Sequence, residues 1–130
     1  MTAEIDLFVY GTLVSESCLS SLTGRYFPRR EAELSGFERI VPSTGYPYII
    51  PEAGARVQGF LLLGVDRIAL AALDQYEDEG VLYHRRRVEV TIGGRRVPCE
   101  TYVGDVEALK AHCNKRVASD HSKGEQSVNS

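Results

Sequence analysis

Two extended stretches, Tyr83 to Ile92 and Arg95 to Val103, flank the pair Gly93-Gly94, and that arrangement leaves little besides a β-hairpin. Two consecutive glycines accept the positive φ that a two-residue primed turn needs at both central positions. The turn then fixes the register of the whole unit, because side chains alternate between faces. Val90 faces Val97 and Val88 faces Cys99 on an apolar side. The other side pairs Arg87 with Glu100 and Arg85 with Tyr102, with Tyr83 on the same face. A cross-strand ion pair between Arg87 and Glu100 contributes under about 1 kcal/mol.

The rest of the chain reads around this hairpin. Ile5 to Tyr10 is rich in β-branched and aromatic residues and is expected to be a strand. A short helix follows, N-capped by Ser15 and stopped near Gly24. Glu31 to Val41 is extended, with a bend or bulge at Ser35-Gly36. Pro42 to Pro47 is a loop around Gly45, then comes the apolar piece Tyr48-Ile49-Ile50, and Glu52 to Ala55 is expected to turn. Val57 to Val65 reads as a strand buried on both faces. Asp66 suits the N-cap of a second helix, for which Gly80 is the expected stop. A last helical turn is expected at Val106 to Ala111. The fold class is α+β: a small, largely antiparallel curved β-sheet or barrel flanked by two main helices.

Length and composition set the outer bounds. With 130 residues, 43% hydrophobic and 25% charged, the chain suits one domain, placed at residues 1–112. Residues 113–130 are polar and poor in large apolar side chains, so a disordered tail is expected. A net charge of −3 argues against nucleic acid as a partner, and Arg85-Arg86-Arg87 alternate faces rather than forming one patch. No apolar run approaches the ~20 residues needed to cross a bilayer. The first strand begins by Ile5, which leaves no room for a targeting segment, so a soluble, cytoplasmic protein is expected. Nothing in the chain sets an oligomeric state. The odd set Cys18, Cys99 and Cys113 argues against a disulfide framework. Cys18 and Cys99 read as small core residues, and His84 as a strand residue without a role. His112, Cys113 and His121 lack the geometry of a metal site, so no metal is expected.

The most informative single residue is Glu77. At about 100° per residue it falls between Leu70 and Leu73 on the helical wheel, beside Ala69 and Tyr76. Asp74, Asp78 and Glu79 lie off that stripe. One acid among four is therefore aimed at the apolar side, where its charged form is disfavoured and its pKa rises toward the range useful for proton transfer. The plainer alternative is a carboxylate turned outward as the helix frays. Four acids near a helix C-terminus oppose the macrodipole, so helix stability does not account for them.

A second candidate is the junction Tyr10-Gly11-Thr12-Leu13, between a buried strand and a helix. A glycine there lets successive N–H groups point into a cavity, where they can hold a carboxylate or a developing oxyanion. On physics alone such junctions are more often plain turns.

Together these elements resemble the γ-glutamylcyclotransferase-like family, which includes γ-glutamylamine cyclotransferases and avirulence-induced-gene-like proteins. The resemblance rests on Phe8-Val9-Tyr10-Gly11-Thr12-Leu13, Val57-Gln58-Gly59, Leu73-Asp74-Gln75-Tyr76-Glu77 and Leu82-Tyr83-His84-Arg85, and it covers residues 5 to 104. It implies a small β-barrel with flanking helices that releases 5-oxo-L-proline from γ-glutamyl compounds, without metal or organic cofactor. By position, Tyr10, Gly11, Thr12 and Leu13 would form the substrate-binding loop and Glu77 the catalytic acid/base. Tyr83, Arg85 and Tyr102 would lie at the same pocket.

Three features depart from the family pattern. Phe60 follows Gly59 where an acid is frequent, the Val57 to Asp66 segment is one residue longer than usual, and the basic Lys/Arg-Gly pair after Leu13 is missing. The implied partner is a small γ-glutamyl amine or γ-glutamyl amino acid, cyclised by attack of its own α-amine. A non-catalytic binding domain on the same fold is the alternative, and a hydrolase releasing glutamate ranks below both, since nothing in the chain supplies an activated water.

Overall fold

The computed structural model of the protein describes residues 4–43 and 46–111. The order is β1 (Glu4–Val9), a single 3₁₀ turn (Thr12–Val14), α1 (Glu16–Thr23), β2 (Arg29–Ile40), β3 (Tyr48–Asp66), α2 (Arg67–Glu77), β4 (Tyr83–Ile92) and β5 (Arg95–Gly104). Residues 106–111 are also helical. The strands close into a barrel in the order β1-β3-β2-β4-β5. Pairing is antiparallel except between β1 and β5, where Leu7 meets Glu100 and Phe8 meets Thr101 in parallel. β2 and β4 share a single paired position, Glu33 with Thr91.

Alternation along the strands produces two cores. Leu7, Val9, Leu62 and Val65 pack with Leu19 of α1 and with Ala69 and Leu73 of α2, so this layer lies between sheet and helices. Phe8, Leu34, Ile49, Leu61, Val90 and Cys99 form the second, built from strands and facing the barrel interior. β1 reads as continuously apolar because each of its faces serves a different core. The same alternation places Leu61 and Leu62 on opposite sides of β3, although Gln58 is exposed.

The hairpin forms in the expected register, Val90 opposite Val97 and Val88 opposite Cys99. Gly93 and Gly94 both have positive φ, 56° and 82°, as a primed turn requires. The expected ion pair is different. Glu100 lies across from Arg87 but takes Arg85 Nη1 instead, at 2.6 Å. Arg87 is exposed, whereas Arg85 and Glu100 are 25% and 17% exposed, and a shielded pair gains more than one in water.

Ser15 caps α1 by accepting from the Cys18 N–H, and Gly24 ends it at φ 74°. Asp66 caps α2 through Ala69. The stop of α2 is not Gly80 but Asp78, at φ 55°, since a short polar side chain tolerates the left-handed region. Glu52 to Ala55 does not break the chain into two strands. β3 runs through it, and those four residues stand between Pro51 and Arg56 opposite Gly36 alone, an excursion within a strand. A one-residue bulge falls in the later half of β3, where Ile5–Leu7 spans Val65–Leu62. Gly59 is held to its identity by crowding: a Cβ there would lie 2.3 Å from the Val9 carbonyl oxygen and 2.8 Å from the Phe8 ring.

The helical residues 106–111 start at Asp105, whose carboxylate accepts from Ala108 N–H at 3.0 Å. The tail 113–130 and the His112, Cys113 and His121 set lie outside the described residues. Among the described residues no helix is long and apolar enough to cross a membrane.

Candidate active site

α2 delivers Glu77 to the end of β1. Ala69 and Leu73 bury one face of the helix, and Glu77, one turn beyond Leu73, continues that face. The reversal at Asp78 follows at once, so Glu77 is the last helical residue. Its carboxyl is desolvated, and burial alone pushes its pKa up from 4.5 to about 7. Among the described residues no cation or hydrogen-bond donor offsets that rise.

Tyrosines surround it. Burial raises the pKa of the Tyr10, Tyr83 and Tyr102 hydroxyls, and the Glu77 charge raises each further. Tyr46, Tyr48 and Tyr76 add to the rise at Tyr83, so six of the seven tyrosines in the chain gather here. Tyr10 donates its hydroxyl proton to the Tyr102 carbonyl at 2.6 Å, and Tyr83 donates to the Pro47 carbonyl at 3.1 Å. These bonds fix the rings that wall in the acid. Tyr46 and Tyr76 remain 45% and 40% exposed, which puts them at the rim.

The Gly11 loop stands next to the same wall. Gly11 caps the 3₁₀ turn, in which Val14 N–H bonds the Gly11 carbonyl at 3.0 Å. As first-turn positions, Thr12 and Leu13 have N–H groups without an acceptor among the described residues. The Tyr76 hydroxyl lies 3.5 Å from Thr12 Oγ1, linking α2 to the loop.

Tyr10, Glu77, Tyr83 and Tyr102 are thus brought together, with Gly11 and Thr12 alongside. The Leu13 side chain is buried in the helix-facing core, so only its backbone could serve a ligand. Arg85 is placed otherwise than expected for a substrate ligand. Its Nε and Nη2 go to Asp74, at 3.0 and 3.1 Å, and its Nη1 goes to Glu100 at 2.6 Å. Asp74 also accepts the Tyr102 hydroxyl at 2.6 Å. The sequence reading names Asp74, Tyr76 and Glu100 but gives them no part in the site. For Asp74 a signal existed, since it lies three residues before Glu77 within the same quoted element.

The arrangement can hold a small polar molecule between free backbone N–H groups and one carboxyl that changes protonation near neutral pH. A family profile described as "Gamma-glutamyl cyclotransferase, AIG2-like" matches residues 7–122. The chain belongs to this family. The AIG2-like protein C of Arabidopsis thaliana is 38% identical over 104 residues, covering 78% of this chain and 59% of that relative. The chain thus spans about three-fifths of its length. A solution structure of another Arabidopsis thaliana protein superimposes with a TM-score of 0.70 at 24% identity, covering 95% of both chains. A structure titled "Gamma-glutamyl cyclotransferase" gives 0.64 at 18% identity over 78% of this chain and 67% of that one. At those identities the two structures establish the shared fold.

Proposed function

We propose that this family member releases 5-oxo-L-proline from a small γ-glutamyl amine or γ-glutamyl amino acid, with Glu77 as the acid/base. The observation that carries the reading is one desolvated carboxyl, with a pKa of about 7, beside Tyr10 and the Gly11 turn. As carboxylate, Glu77 takes a proton from the substrate α-ammonium. The freed amine attacks its own δ-carbonyl carbon, a five-membered closure favoured by its intramolecular geometry. The N–H groups of Thr12 and Leu13 meet the oxyanion of the tetrahedral intermediate. Glu77 returns its proton to the departing amine as the C–N bond breaks, and the ring nitrogen passes its surplus proton to the amine released. Tyr10, Tyr83 and Tyr102 wall off water. Each proton is handled by substrate and Glu77, so the scheme calls for no cofactor.

The test is a panel of γ-glutamyl compounds assayed for 5-oxoproline by mass spectrometry, with thermal shifts in parallel. Wild type is expected to form product, with an acid limb in kcat/KM at pH about 7 because only the carboxylate starts the reaction. Glu77→Gln is expected to lower release by at least about a thousandfold while retaining the fold. Full activity in that variant removes Glu77 from the mechanism. Ligand stabilisation of wild type without product establishes the binding domain instead.

A further inference from the structure

On the helix-facing side of the hairpin, four side chains make one bonded chain. Asp74 of α2 accepts the Tyr102 hydroxyl through Oδ1 and grips Arg85 through both oxygens, while Glu100 of β5 takes the third guanidinium nitrogen. Asp74 and Arg85 are each 25% exposed and Glu100 is 17% exposed. A two-point grip of this kind fixes the plane of the guanidinium as well as its position. Desolvation lowers the Arg85 pKa, but its bonds to Glu100 and Asp74 outweigh that and raise it, so the group is a permanent cation.

That cation lies close to the reaction centre. The Tyr102 hydroxyl feels both Glu77, which raises its pKa, and Arg85, which lowers it. An arginine free to pair with Glu77 would hold that carboxyl ionised and well below neutrality. The other groups around Glu77 are the hydroxyls of Tyr10 just past the end of β1, Tyr76 from α2, Tyr83 from β4 and Tyr102 from β5. Tyr46 and Tyr48 stand behind Tyr83, and Arg39 of β2 acts on Tyr10.

We propose that Asp74 and Glu100 are positioning residues, which hold the Arg85 guanidinium away from Glu77 and pin the Tyr102 hydroxyl in place, leaving the acid without a cationic partner. The role is useful only if Glu77 is the acid/base of the reading above. On that basis Arg85 is a brace and does not touch substrate.

The experiment is a titration of the Glu77 carboxyl carbon by NMR in wild type, Asp74→Asn, Glu100→Gln and Arg85→Gln. Removing either acid leaves the guanidinium under-neutralised and mobile, so the Glu77 midpoint should fall by at least about half a pH unit. Arg85→Gln keeps a donor toward Asp74 but leaves the Asp74 and Glu100 charges without their cation, so the midpoint should rise. Mere loosening would wet Glu77 and lower the midpoint in all three. A common fall, or no movement in any variant, overturns the proposal. Should Asp74→Asn fail to fold, Glu100→Gln against Arg85→Gln makes the same comparison. The titration needs no turnover, so absence of 5-oxoproline release would count against the cyclotransferase reading alone.

Discussion

A carboxyl group whose charge is disfavoured in the fold must weaken that fold once it ionises. The Glu77 pKa is raised from 4.5 to about 7, so its contribution to stability is fully present below pH 4.5 and is lost as pH rises through 7. The difference amounts to roughly 2–3 kcal/mol between pH 4.5 and pH 8. Glu77→Gln is therefore expected to be more stable than wild type at pH 8 by about that amount and nearly equal to it at pH 4.5. Urea unfolding at the two pH values measures this, and equal stabilities at pH 8 would mean that the carboxyl is wet. At this scale the sequence reading found Glu77 because its position on the wheel depends on α2 alone. It missed Asp74 because the groups that hold that carboxylate, Tyr102 and Arg85, come from the hairpin. Its orientation is settled only when α2 and the hairpin meet.

Elements were legible where their ends carry their own chemistry. Ser15 and Gly24 bound α1, Asp66 starts α2, and Gly93-Gly94 sets the hairpin, each through contacts within a few residues. The failures have a common origin in neighbours distant in sequence. Glu52 to Ala55 has the composition of a turn, yet its flanks stay paired to β2, so β3 continues across it. The end of α2 tests the local rule most directly. Asp78 sits at φ 55°, where glycine carries no Cβ penalty, and its negative charge lies against the carbonyl end of the helix. Asp78→Gly is expected to stabilise the protein by about 0.5–1 kcal/mol, seen as a higher Tm. A lower Tm would indicate that the Asp78 side chain has a partner worth more than its strain.

At the scale of the molecule, closure of the barrel is what joins the two halves of the site. Tyr10 leaves the end of β1 and Tyr102 lies near the end of β5, and the bond from the Tyr10 hydroxyl to the Tyr102 carbonyl holds only while those strands are paired. Their pairing is short, two positions in parallel. It is reinforced by Thr101, fully buried, whose hydroxyl donates to the Phe8 carbonyl at 2.9 Å. A hydroxyl in the barrel wall is otherwise unfavourable, so its value lies in satisfying that carbonyl. Thr101→Val keeps the shape of the side chain but removes a buried hydrogen bond, and is expected to cost about 0.5–1.5 kcal/mol in urea unfolding. Thr101→Ser, which keeps the hydroxyl, should cost less. Loosening the seam also admits water beside Glu77, so in Thr101→Val the carboxyl midpoint should move down from about 7 toward 4.5. A valine variant with wild-type stability and an unmoved midpoint would show that the seam does not hold the site. The two changes are expected together, because the strand pairing that closes the barrel is also what keeps the acid dry.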